Sequence, residues 1–117
     1  MGFALVAIGG LTGTVCRYLL SLALPFGSLL SIMFINGLGS FIIGVLIKHE
    51  SSFIWGLLGI GFCGAFTTFS MVALDSVKLI QHEKWGLFFL YLFCSNSMCI
   101  LGCWLGVLTS KFIGSWR

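Results

Sequence analysis

The sequence predicts an all-α integral membrane protein with four transmembrane helices, the third of them broken mid-membrane. Three observations point there. Hydrophobic residues make up 59% of the 117 and charged residues only 8%, which leaves too little polar surface for a globule in water. Four apolar stretches, 3–24, 28–47, 53–80 and 85–110, each meet the roughly 20 residues that a helical crossing needs. The third stretch contains GFCGAFTTFS (61–70), which sets two glycines, two threonines and a serine inside an otherwise apolar run. Gly weakens a helix and hydroxyls offer its backbone other partners, so a break is expected near 64–70. Broken backbone at membrane depth is tolerated only inside protein or beside a water-filled path. This segment is therefore the candidate transport or ion-binding site.

The stretches differ in what they carry. No basic residue precedes the first and no clear cleavage site follows a short apolar core, so it is expected to be a retained helix rather than a signal peptide. Within it Gly9, Gly13 and Arg17 recur every four residues, giving one face that packs closely and then presents a charge. Arg17 precedes Pro25 by eight residues, about 12 Å along a helix axis. It can snorkel to the headgroups, bind backbone carbonyls, or draw anions toward a vestibule. The second stretch places Asn36 near its centre, with Ser40 and Gly44 at four-residue steps. Such an amide can glue helices together or donate to an anion. The fourth carries Tyr91, Ser95 and Cys99 on one face, beside Asn96 and Ser97, which suits a wet path or helix packing equally. Trp55, Trp85 and Trp116 are expected as anchors at headgroup level.

The connections at 25–27, 48–52 and 81–84 are short, so neighbouring helices run antiparallel and residues 1–117 form one membrane domain. Cys16, Cys63, Cys94, Cys99 and Cys103 fall inside the spans, where no disulfide framework or loop zinc site is built; they read as small apolar filler. His49 and His82 lie in polar connections. Lys48, Lys111 and Arg117 fall on one side of the layout, and Lys78 and Lys84, with or without Arg17, on the other. That balance gives almost no orienting bias. It is expected of a chain that inserts both ways up, or whose partner chain has the opposite orientation, and an antiparallel dimer would create an inverted repeat. The spans offer no nucleophile–base pair for an enzyme. A small dual-topology multidrug transporter would want a carboxylate in its first helix, and residues 3–24 contain none.

Three segments in order, GGLTGTVCRY (9–18), NGLGSFIIG (36–44) and GFCGAFTTFS (61–70), resemble the signature segments of the Fluc family of fluoride channels, also called CrcB proteins. The resemblance runs from about Gly9 to Gly106. It implies a channel in the bacterial cytoplasmic membrane that passes fluoride down its gradient, excludes chloride and relieves fluoride toxicity. It further implies an antiparallel dimer, of the chain with itself or with a paralogous subunit, embedded in lipid and without a nucleic-acid partner. A structural sodium ion at the dimer centre would be held by the carbonyls of Gly64 and Thr67 from both subunits, as suits a hard cation that prefers oxygen. The implied anion path takes in Asn36, the first-helix Arg17, Phe69 as the first of two pore phenylalanines, Thr68 and Ser70 of the broken segment, and Tyr91 and Ser95 of the fourth helix. Phe69 would offer the positive edge of its ring.

The sequence departs from the family pattern at four places. Val72 stands where a second pore phenylalanine is usual, Met71 where a threonine is, Cys99 where the polar track often has another serine, and Asp75 where a glutamate is usual. The expectation is a subunit that works best, or only, as half of a heterodimer. A non-conducting subunit that completes a partner's pore is the alternative.

Overall fold

The computed structural model describes residues 2–115, all of whose regular elements are helical. Trp116, expected as an anchor, and Arg117, counted in the charge balance, lie outside the described residues. Helix α1 spans Gly2–Ala23 and stops before Pro25, whose ring disfavours helical backbone in the residue ahead of it. Helix α2 spans Ser28–Val45 and tightens into a 3-10 turn at Leu46–His49. A π-helix, Trp55–Cys63, leads into the short α3, Gly64–Phe66; α4 spans Phe69–Gln81, and α5 spans Trp85–Ser115. Four helical segments, Gly2–Ala23, Ser28–His49, Trp55–Gln81 and Trp85–Gly114, are long and apolar enough to cross a membrane. The last helix continues past residue 110, and its 31 residues correspond to about 46 Å of rise, more than the roughly 30 Å of hydrocarbon.

The turn from α4 to α5 is closed by backbone alone. Lys84 N–H donates to Leu79 O and Glu83 N–H to Ile80 O, each at 2.9 Å, the paired bonds of a Schellman ending. Glu83 takes the left-handed conformation, φ 56°, at a position where Gly is usual.

Two helix pairs make the body of the subunit: α2 against α5, and α1 against the π-helix. Lipid gives helices no hydrophobic reason to associate, so close backbone approach through small residues replaces it. Gly9 and Gly13 serve the first pair. A side chain on Gly13 would overlap the Phe62 carbonyl, and one on Gly9 the Leu57 carbonyl. In the second pair, Gly102 and Gly106 of α5 repeat the same four-residue spacing, and a side chain on Gly106 would overlap the Phe41 carbonyl of α2. The apolar centre lies where α2, α4 and α5 meet, with Ile32, Val72, Leu79 and Tyr91 buried together. Large side chains such as Phe3, Leu11, Phe93 and Ile100 face outward, as lipid-facing positions do.

Candidate functional site

Helical backbone ends at Phe66 and resumes at Phe69, with Thr67 (φ −81°, ψ 156°) and Thr68 (φ −150°, ψ 116°) extended between them. The N–H groups and hydroxyls of that segment can be followed to their partners. Thr67 N–H donates to Cys63 O at 3.1 Å, and Thr67 Oγ1 donates to the same oxygen at 3.0 Å. Thr68 N–H donates to Asn36 Oδ1 at 2.7 Å, while Asn36 Nδ2 donates to Thr68 O at 3.0 Å. Met71 N–H donates to Thr68 Oγ1 at 3.3 Å, so Thr68 caps α4 as threonine commonly does.

This redirection has a consequence for two carbonyls. In a continuous α-helix the N–H of residue i+4 bonds the carbonyl of residue i, so Thr68 N–H would serve Gly64 and Met71 N–H would serve Thr67. Both donors go elsewhere. The Gly64 and Thr67 carbonyls are thus released from helical bonding, and carbonyl oxygen is the donor a hard cation prefers. Gly64 is exposed on the surface of the chain, with open space where a side chain would be. Among the described residues no cluster of three or more His, Cys, Asp or Glu could hold a metal instead. Gly39 was not singled out from sequence, yet it matters here: a side chain on it would overlap Thr67 Cγ2 and stand 3.1 Å from the Phe66 ring. It lies three residues after Asn36 and faces the same segment, which only the fold reveals.

Beside the extended residues lies a cavity of about 510 Å³, whose lining includes Thr14, Arg17, Ser28, Ser31, Ile35 and Thr68. The structure therefore brings Arg17 of α1 and Thr68 to one space, with Asn36 buried behind Thr68. Arg17 is half-buried. The start of α4 also contributes, because the first N–H groups of a helix lack intrahelical partners and its dipole favours negative charge there. Phe69 and Ser70 occupy that start and are exposed, Phe69 to 77%. Thr68 Oγ1 and Ser70 Oγ lie 3.0 Å apart. Whichever of the two donates, one hydroxyl proton remains for a third partner.

Tyr91 and Ser95 do not line this cavity. They are buried one turn apart on α5, and neither Tyr91 Oη nor Ser95 Oγ has a hydrogen-bond partner of good geometry. Burying an unpaired polar group costs about 1–3 kcal/mol, a cost that a third partner beside the two hydroxyls would relieve. Asp75 and Ser95 are near enough to act electrostatically on Tyr91. Asp75 is itself buried; Ser28 Oγ donates to its carboxylate at 3.0 Å, and Lys78 Nζ stands 3.8 Å away. Val72 packs against Tyr91 in the same cluster.

Comparison with known proteins fits this arrangement. A family described as CrcB-like protein, Camphor Resistance (CrcB), matches residues 4–107. The chain belongs to the CrcB family. It is similar to the fluoride-specific ion channel FluC of Koribacter versatilis, 38% identical over 81% of this chain and 83% of that protein. It is also similar to the proteins of the same name from Magnetococcus marinus, 35% identical over 97% of this chain and 100% of that one, and Shewanella frigidimarina, 37% identical over 87% and 90%. Together with its four membrane-length helices, membership makes this CrcB chain a multi-pass membrane protein. Its match ends inside α5, so the last turns of that helix lie outside the CrcB pattern.

Proposed function

We propose that this chain is a subunit of a fluoride-selective ion channel, a passive conduit rather than an enzyme, which lets fluoride leave the cell across the bacterial cytoplasmic membrane. The observation that carries the reading is the cavity that joins Arg17 to the extended Thr67–Thr68 segment, in a CrcB chain whose relatives are named for fluoride. A bare small anion in a low-dielectric interior costs tens of kcal/mol in the Born limit. A path must replace its water with hydrogen-bond donors, yet hold it loosely enough to let it go. Arg17 raises the anion's concentration at the mouth. The Thr68–Ser70 pair has a proton to give, the exposed Phe69 ring has a positive edge, and the unpaired hydroxyls of Tyr91 and Ser95 supply two further donors along α5.

The subunit is read as half of an antiparallel dimer, with itself or a paralogue. What supports this is the near-even division of Lys and Arg between the two sides and the exposure of Gly64 and Phe69 on the surface of the single chain. The released carbonyls of Gly64 and Thr67 are the groups that would hold a structural sodium ion at the junction. When bound, that ion supplies fixed positive charge to oxygens that no N–H serves. Fluoride release from liposomes loaded with potassium fluoride, compared with potassium chloride, tests the reading. Release of fluoride alone supports it, and silence of the chain both by itself and with a paralogous subunit would sink it.

A non-conducting partner subunit is the second reading. Val72, in the place of a second pore ring, is only 4% exposed and lies within the apolar centre. Activity that requires a paralogue, and that survives loss of this chain's own Ser70 and Tyr91 hydroxyls, would favour it.

A further inference from the structure

We propose that Asn36 acts as a positioning residue for cation binding, because its side chain takes the N–H that would otherwise close off the Gly64 carbonyl. The inference rests on the reading that Gly64 and Thr67 hold sodium. Asn36 sits on α2 and spends both ends of its amide on the Thr68 backbone, at 2.7 and 3.0 Å. Without an acceptor at Asn36 Oδ1, Thr68 N–H has one good alternative partner in its own strand of chain, the carbonyl of Gly64 four residues back. That bond would restore helical pairing and remove the carbonyl from any cation. Gly39 completes the device from the same helix: its bare backbone admits Thr67 Cγ2, which keeps Thr67 extended beside α2. Asn36 and Gly39 thus press the segment into the form that presents two oxygens.

The energetic form of the claim is a population shift. A cation that binds only the extended segment sees an apparent dissociation constant raised by the inverse of that segment's population. A single recovered backbone hydrogen bond is worth about 1 kcal/mol net, enough to move the apparent constant by up to about fivefold.

The test is thermal unfolding of the purified dimer in detergent, followed by tryptophan fluorescence, with sodium chloride titrated against N-methylglucamine chloride at constant ionic strength. The wild-type protein is expected to gain stability with sodium. Asn36→Leu, which keeps the volume and removes the acceptor, should need more sodium, by up to about fivefold, to reach the same rise in unfolding temperature. Gly39→Ala should shift the titration the same way, and adding Thr67→Ser, which removes the obstructing methyl, should return it toward wild type. A purely structural asparagine would lower the unfolding temperature without sodium and leave the sodium concentration needed for a given rise where it was; that result overturns the proposal while the sodium reading stands. Absence of any sodium response in the wild type overturns both. If Asn36→Leu does not fold, Asn36→Ser, whose side chain is too short to accept from Thr68 N–H, takes its place in the same titration.

Discussion

Asn36 and Thr68 are joined by two hydrogen bonds running in opposite directions, the amide nitrogen giving to the Thr68 carbonyl at 3.0 Å and the amide oxygen receiving the Thr68 N–H at 2.7 Å. Both residues are buried. One side chain on α2 therefore takes the Thr68 N–H that a continuous helix would have given to Gly64, and adds a second donor to the Thr68 carbonyl, which as N-cap also opens the hydrogen bonding of α4. This places the asparagine at the junction of the cavity and the released carbonyls rather than free in an open path.

Replacing Asn36 by Asp keeps an acceptor for Thr68 N–H but removes the donor to Thr68 O and buries a negative charge. Fluoride release should be abolished, and stability should fall by about 1 kcal/mol for the lost hydrogen bond and further for the buried charge. Liposome efflux and chemical unfolding in detergent read the two effects separately. Efflux at the wild-type rate would show that conduction does not depend on the Asn36–Thr68 pairing.

Tyr91→Phe deletes a buried hydroxyl that has no good partner within the chain. The apolar replacement should leave stability unchanged or raise it by up to about 1 kcal/mol, while fluoride efflux falls. A variant that is more stable and equally active would show that the hydroxyl serves nothing in conduction.

Arg17→Gln should slow fluoride entry by about tenfold or more at low salt, since a charge at the mouth of a low-dielectric space concentrates counter-ions. Raising the ionic strength should shrink the difference, because the Debye length falls from about 30 Å at 0.01 M to about 8 Å at 0.15 M. A gap that does not change with salt would point to packing rather than charge.

Val72→Phe brings a ring to a site that is 4% exposed and already packed by Ile32, Leu79 and Tyr91. Overfilling should cost about 1–3 kcal/mol. If the missing ring is what limits conduction, efflux through the homodimer should nonetheless rise. A destabilised variant with no gain in efflux would show that ring chemistry at this place is not the limitation.

Much of the framework was legible in sequence because lipid imposes simple demands. A crossing must be apolar for about 20 residues, and the four crossings were set by that rule. The Gly–Thr–Ser interruption was equally visible, since those residues have few other uses within an apolar run. Arg17, Asn36 and Tyr91 stood out as polar groups in costly surroundings. What their spacing left open was direction: Asn36 could face a partner helix, an anion or a backbone, and only the fold turns it onto Thr68. The π-helix at Trp55–Cys63 and the role of Gly39 had no residue signal strong enough to find them, because both depend on what a neighbouring helix presents.

Sequence by itself determined that this is a four-crossing membrane protein and where its third crossing weakens, because hydropathy and helix propensity are local properties that each residue carries with it. Tertiary structure alone decided which partners the weakened segment takes, which carbonyls it frees and which hydroxyls stay buried unpaired. Hydrogen bonds are short-ranged and directional. The pairing of Asn36 with a residue 32 positions away exists only once α2 has packed against the third crossing.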